Sequence, residues 1–401
     1  MSSLPDWRAL EAEIRLLLGA APQDRQRLLD SLRAYSARVV SEARRLDAQS
    51  PAVKSGIPDW LYRPVFICGH HRSGTTLLQS LLDGHPDLVV LPSEGTYLSS
   101  FRYVASENPP SSSVDRFMGA WIERFISPNT DPHFKLGLST DQRNPSLQLC
   151  RAMLAWQRAL LGLKRDLVKF RLMLALVAAY AEQRSLPRGP ARWVEKTPLN
   201  ECNLSEHLAF QDARYIQMVR EPTATLASLR AAYSGSPERF QVLRHVRAIA
   251  NSFRLARLHE RRHRARYLVV RYEDLTTAPA REMDRIREFL GISAHPTLLI
   301  PTSLGQPVAS NSSFLRSSPG VIACRPEAMS SATPQDDELV RVFCGQEAQA
   351  RGYHVHASQA RRRRVTPAMI SRAILITKYS GQQLAELMRG LGSDRSPKSG
   401  H

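Results

Sequence analysis

The chain has 401 residues, 43% of them hydrophobic, enough for a sizeable core and more than a minimal single domain needs. Its five cysteines are scattered without a Cys-x-x-Cys pair, which argues against a disulfide framework and a zinc site and favours a reducing setting. The formal charge is +18, with seven of the 55 basic residues being lysine; it favours anionic ligands or acidic surfaces without selecting one.

The opening MSSLPDWRALEAEIR lacks the basic and then apolar pattern of a secretory signal. No run reaches the ~18 apolar residues of a membrane span. The longest candidate, LMLALVAAYA from Leu172, is short and flanked by charge. These features give a cytoplasmic expectation, with no membrane anchor. Residues 6–48 predict two amphipathic helices: Leu10, Ile14, Leu17 and Leu18 recur at helical spacing, and Ala21-Pro22 breaks the pattern. The segment 1–55 is therefore a helical extension, open to three roles: a lid, a homodimer element or a packing layer. PAVKSGIPDW reads as a linker.

VFIC from Val65 predicts a buried strand running into a glycine loop, GHHRSGTT. TLLQSLLDGHPD predicts a helix ended by its DGHPD turn, and LVVLP from Leu88 a second strand. This strand–loop–helix–strand unit opens a parallel α/β sheet. Residues 114–186 read as mostly helical, with a polar interruption near NTDPHFKLGLSTDQRNPS, so that about 100–190 forms a helical insertion. ARWVEK, RYIQMVR and RYLVVRY are further strands. PAREMDRIREFLGI is a helix with Pro279 near its start and Gly291 at its end. After Tyr353 the chain turns basic, with RRRR at 361–364 and a weakly amphipathic segment beyond, so 356–401 is set apart as a tail. The fold class is α/β, a P-loop-like parallel sheet flanked by helices, with helical additions at the N-terminus and in the 100–190 insertion.

The loop carries the first functional signal. A nucleotide-triphosphate loop reads G-x-x-x-x-G-K-[ST]. Gly69, Gly74 and Thr76 fall into that register, but Thr75 occupies the lysine position and Arg72 puts a cation inside the loop. Strand-to-helix loops of this kind bind phosphate through backbone N–H groups and the helix dipole. Two strands that could offer a metal-binding acid end instead in Arg220 and Arg271.

PVFICGHHRSGTTLLQSLLDGHPD resembles the 5′-phosphosulfate loop of sulfotransferases that use 3′-phosphoadenosine-5′-phosphosulfate (PAPS). Its R-S-G-T-T-L is similar to the tyrosylprotein and bacterial carbohydrate branches, with His71 where they carry proline. The resemblance covers about residues 62–355. It implies that Arg72, Ser73, Gly74, Thr75 and Thr76 hold the 5′-phosphosulfate. Arg220 in V-R-E-P and Ser228, eight residues later, resemble the family's 3′-phosphate site. Tyr272 of Y-E-D-L would contact the adenine end, with Glu273 and Asp274 also capping the following turn.

A base and a cation must serve the chemistry. Glu94, at the end of the second strand, resembles the catalytic glutamate of the tyrosylprotein branch. Lys196 in E-K-T-P resembles that branch's catalytic lysine, with Arg72 sharing its work and Glu195 and Asn200 positioning it or touching the acceptor. His70, His71 and His85 rank below Glu94 as bases, and Ser312 is a weak nucleotide contact. The implied activity moves a sulfuryl group in line and without metal to a hydroxyl of a sugar, lipid, phenol or peptide tyrosine. The alternatives are a P-loop nucleotide kinase, against which the missing lysine speaks, and a basic binder of nucleic acid or membrane surfaces. For the enzyme, the tail gives an expectation of peripheral contact with anionic membranes, and no nucleic-acid partner is expected.

Overall fold

The runs rich in β-branched and aromatic residues form five strands: β1 (Pro64–Gly69), β2 (Leu88–Glu94), β3 (Arg192–Lys196), β4 (Arg214–Val219) and β5 (Tyr267–Arg271). The computed structural model describes residues 7–18, 24–126, 144–184, 186, 189–309, 318–322 and 333–353. All neighbouring strands are parallel, in the order β2-β3-β1-β4-β5. Central β1 is buried at every position. Its Phe66 and Cys68 face one apolar cluster and its Val65 and Ile67 the other. That two-sided burial explains why VFIC is a continuous apolar run, with no polar alternation.

The helices are α1 (Trp7–Leu18), α2 (Arg25–Gln49), α3 (Thr75–Leu82), α4 (Ser111–Ile126), α5 (Pro145–Ala159), α6 (Arg171–Arg184), α7 (Leu204–His207), α8 (Pro222–Ala232), α9 (Val242–Arg262), α10 (Tyr272–Thr277), α11 (Pro279–Leu290) and α12 (Pro334–Gln349). α3 and α11 cover one sheet face through Leu78, Leu81, Met283 and Ile286. The N-terminal helices, the 100–190 insertion and α8, α9 and α12 share the larger cluster on the other. Local chemistry sets the ends. Asn144 caps α5 by accepting the Leu147 N–H at 2.9 Å. Thr333 and Asp336 form a reciprocal capping box on α12. Gly291 closes α11 at φ 67°.

Of the three roles open to α1 and α2, the packing layer is the one the contacts show. Tyr35 of α2 is fully buried and its hydroxyl donates to Glu11 at 2.7 Å. Arg44 pairs with Asp115 of α4 at 2.7 Å. Ser312 and the basic tail 356–401 lie outside the described residues. No helix among the described residues is long and apolar enough to cross a membrane.

Candidate functional site

The glycine loop leaves the carboxyl end of β1, and three residues in it have positive φ: Gly69 at 124°, Arg72 at 69° and Gly74 at 99°. Two glycines are required by close approach as well. A Cβ on Gly69 would stand 2.2 Å from the Met218 carbonyl oxygen, and one on Gly74 would stand 2.5 Å from Cδ2 of Tyr272. Thr75 and Thr76 open α3, so their N–H groups belong to the unsatisfied first turn of a helix. Ser73 Oγ is buried and has no hydrogen-bond partner among the described residues. A buried hydroxyl in that state fits a ligand that brings acceptor oxygens into the loop.

The β4–α8 turn closes on the same loop. Arg72 Nε donates to Ser228 Oγ at 3.0 Å, and Arg220 Nη1 donates to the Arg72 carbonyl at 3.2 Å. The Arg220 guanidinium lies over the Tyr272 ring, 4.6 Å from its centroid. Burial, with the neighbouring Arg220 charge second, lowers the Arg72 pKa, so Arg72 sits where an anion would relieve it. Arg72, Ser73, Gly74, Arg220, Ser228 and Tyr272 are thus brought together from three strand ends.

Glu221 is a residue that sequence reasoning missed. Its carboxylate caps α8 by accepting the Thr223 and Ala224 N–H groups at 3.0 and 2.5 Å. Its position just before Pro222 was a legible signal. Glu273 also differs from expectation. It does not cap its own turn; it accepts the Glu221 N–H at 2.9 Å and the Tyr353 hydroxyl at 2.8 Å. Asp274 pairs with Arg271 at 3.4 Å.

Glu94 and Lys196 end β2 and β3 side by side, with Lys196 Nζ donating to Glu94 Oε1 at 2.8 Å. The lysine side chain is 3% exposed and the glutamate 40%, so the pair opens to solvent on the carboxylate side only. Burial raises the Glu94 pKa, but the Lys196 charge and hydrogen bond, then His71 and Arg124, outweigh it and hold the carboxyl below its ordinary value. Arg124, reaching in from α4, donates to the Glu94 carbonyl at 2.5 Å and to Thr96 Oγ1 at 2.8 Å. One arginine among so many carried no signal in the sequence.

The histidines separate. His70 is buried, bonded through Nδ1 to the His71 carbonyl at 2.9 Å, and pushed down to about 3 by burial, which makes it a neutral structural group. His85 is fully buried with Nε2 on the Ser293 carbonyl at 2.9 Å, as its turn position suggested. His71 has a face open to solvent and feels both Glu94 and Lys196; the protein mass around it disfavours the charged ring. Beneath the loop lies Glu201, another residue without a sequence signal. It is 1% exposed, and it accepts the Gly69 N–H at 2.9 Å and the Ser252 hydroxyl at 2.5 Å. Burial raises its pKa.

Fold and site define a parallel α/β protein whose phosphate-loop-like turn carries one arginine and meets another from the end of a second strand. The profile of the Sulfotransferase family matches residues 64–296, more than half the sequence. The chain belongs to that family, and membership places it among transferases. Among solved structures, the sulfotransferase domain of the Synechococcus PCC 7002 olefin synthase is 23% identical, with 75% of this chain and 99% of that one covered and a TM-score of 0.44. Sulfotransferase STF9 from Mycobacterium avium is 18% identical over 73% of this chain and 80% of its own, with a TM-score of 0.36. The sulfotransferase domain from the curacin biosynthetic pathway is 17% identical over 76% of this chain and 99% of its own, with a TM-score of 0.35. No curated protein sequence matches the chain.

Proposed function

We propose that the protein transfers the sulfuryl group of PAPS to an acceptor hydroxyl, with Glu94 as general base. The observation that carries this reading is the junction of Arg72 with Ser228 and Arg220, which ties the glycine loop to the β4–α8 turn, where this reading puts a second anion. A donor with phosphate at both its 5′ and 3′ positions needs two such sites, whereas a nucleoside triphosphate needs one extended cradle. When bound, the nucleotide supplies a sulfuryl group on a phosphosulfate linkage.

The residues divide the remaining work. Ser73, Thr75, Thr76 and the Gly74 backbone bind the 5′ end by donated hydrogen bonds. Arg220 and Ser228 hold the 3′-phosphate, and Arg72, bonded to Ser228, serves both ends. Tyr272, stacked under Arg220, lies against the adenine end. Glu94 takes the proton of the acceptor hydroxyl as its oxygen bonds to sulfur. Lys196 holds a positive charge beside that carboxylate and stabilises the bridging oxygen that leaves on adenosine 3′,5′-bisphosphate. Fixed cationic side chains supply the charge stabilisation. The acceptor is a hydroxyl compound that enters over the open side of Glu94.

Isothermal titration tests the nucleotide. Adenosine 3′,5′-bisphosphate binds the wild type, and Arg220→Ala weakens it about 10–100-fold, the loss expected for a charge-assisted hydrogen bond to phosphate. Tight MgATP binding with no binding of the bisphosphate overturns the proposal.

A further inference from the structure

Glu195 stands next to Lys196 on β3 but points to the opposite sheet face, into the larger apolar cluster beside Phe66. It is 1% exposed. An acid there is costly unless its hydrogen bonds do something an apolar residue could not. Its Oε2 accepts the Asn200 amide at 2.9 Å, and its Oε1 accepts the Thr197 hydroxyl. Thr197 Oγ1 in turn accepts the Thr96 N–H at 2.7 Å. Thr96 lies two residues beyond Glu94 and has φ 46°, a left-handed conformation that a β-branched residue holds only under constraint. Arg124 clamps the same turn from the other side through the Glu94 carbonyl and Thr96 Oγ1.

Gly95 supplies the second, independent observation. Its φ is not in the region that demands glycine. A Cβ there, however, would stand 2.1 Å from Glu195 Oε1. The residue directly after Glu94 is therefore small because the Glu195 carboxyl lies against it. Carboxyl, glycine and threonines form one brace, and its free end carries Glu94.

We propose that Glu195 is a positioning residue: through Thr197 and Thr96 it fixes the turn that holds the Glu94 carboxylate on Lys196. The consequence for turnover rests on the reading of Glu94 as base; the structural coupling does not. The test uses carboxyl-labelled glutamate in the full chain, with the Glu94 titration followed by carbon NMR and the exchange of the Thr96 amide by hydrogen–deuterium exchange. Glu195→Ala moves the Glu94 midpoint up by about one pH unit, the equivalent of a tenfold weaker bias toward the carboxylate, and speeds Thr96 exchange about tenfold or more. Affinity for adenosine 3′,5′-bisphosphate stays within about twofold. Thr197→Val breaks the same brace at its next link and gives the same two shifts, so it decides the matter if Glu195→Ala does not fold. An unmoved Glu94 midpoint in a folded variant overturns the proposal. So does a shift accompanied by lost nucleotide affinity, which marks general loosening. If the coupling holds while Glu94→Gln leaves turnover intact, the brace stands and the assignment of the base falls.

Discussion

Glu94→Gln separates the chemistry from the architecture. The change keeps the side chain's shape and an oxygen able to accept from Lys196 Nζ, now 2.8 Å away, but removes the negative charge. Breaking a fully buried ion pair costs about 3–5 kcal/mol, because the surviving charge is stranded. Here the carboxylate is 40% exposed, water reaches the pair, and the amide oxygen still satisfies the ammonium. The stability loss is therefore about 1–2 kcal/mol, a fall in Tm of no more than a few degrees. Turnover is affected far more: loss of a general base lowers it about 10²–10⁴-fold. The assay is transfer of labelled sulfate from PAPS to an acceptor isolated from a cell extract, with calorimetry to show that adenosine 3′,5′-bisphosphate still binds. Turnover within about threefold of wild type refutes the role. The pH profile gives a second check. Because Lys196, His71 and Arg124 together overcome the effect of burial on Glu94, the acidic limb of the wild-type rate lies below 4.5. The same pair stabilises the fold above the ordinary carboxylate value, and this contribution fades as pH falls through the depressed one. A limb above the ordinary carboxylate value but below the ordinary imidazole value, the direction in which burial moves His71, would instead assign the proton to His71.

Gly74→Ala introduces a Cβ into the Tyr272 ring at 2.5 Å, on a backbone at φ 99°. It displaces the ring that Arg220 stacks on, and calorimetry should show at least about tenfold weaker bisphosphate binding with the far-ultraviolet circular dichroism unchanged; wild-type affinity contradicts this. Glu195 makes the fold's stability depend on neutral pH. Burial, partly offset by the Thr197 hydrogen bond, pushes its carboxyl up to about 7. The folded chain then holds a proton that the unfolded chain releases near 4.5, so stability falls as pH rises through that window and levels off above 7. At about 1.4 kcal/mol per pH unit the effect is about 3 kcal/mol in all. Melting curves at pH 5 and pH 8 should differ less for Glu195→Gln than for the wild type; parallel curves contradict the assignment.

The sheet was legible because four of its strands are short, largely apolar runs, the pattern that two-sided burial of a parallel sheet produces, while β3 keeps only Trp193 and Val194 between charged residues. The glycine loop was legible for a related reason: positive φ and close backbone approach restrict Gly69 and Gly74 to glycine, and such restrictions leave a spacing. Glu94, Lys196 and Arg220 could be singled out because each sits at or just beyond a strand end, and Ser228 because it follows Arg220 by eight residues on the next helix. Arg124 and Glu201 could not. Their roles depend on contacts across the fold: Arg124 reaches the β2 end from α4, and Glu201 meets Gly69 and Ser252 from a turn after β3. Nothing within a few residues of either marks it. Glu273 was misread because Asp and Glu just after a strand are common helix caps, whereas its actual partners are 52 and 80 positions away.

The strand order accounts for the division of labour across the site. From β1 the chain runs through α3 to β2 on one flank, with β3 later inserted between them, whereas β4 and β5 extend the other flank. Parallel sheets bind ligands outside the carboxyl ends of their strands, at the point where the order reverses. In this chain that point is the end of β1, where the glycine loop begins. Glu94 and Lys196 come from the β2–β3 flank, and Arg220, Ser228 and Tyr272 follow the strands of the other. In the proposed reading, a nucleotide lying across the loop puts its 3′-phosphate on the β4–β5 flank and its reacting end toward β2–β3. Arg72 then belongs first to the nucleotide, since its guanidinium bonds Ser228 across the loop. A share in the chemistry would require that side chain to turn from one flank to the other. Lys196 needs no such movement, because its buried ammonium is already on the Glu94 carboxylate.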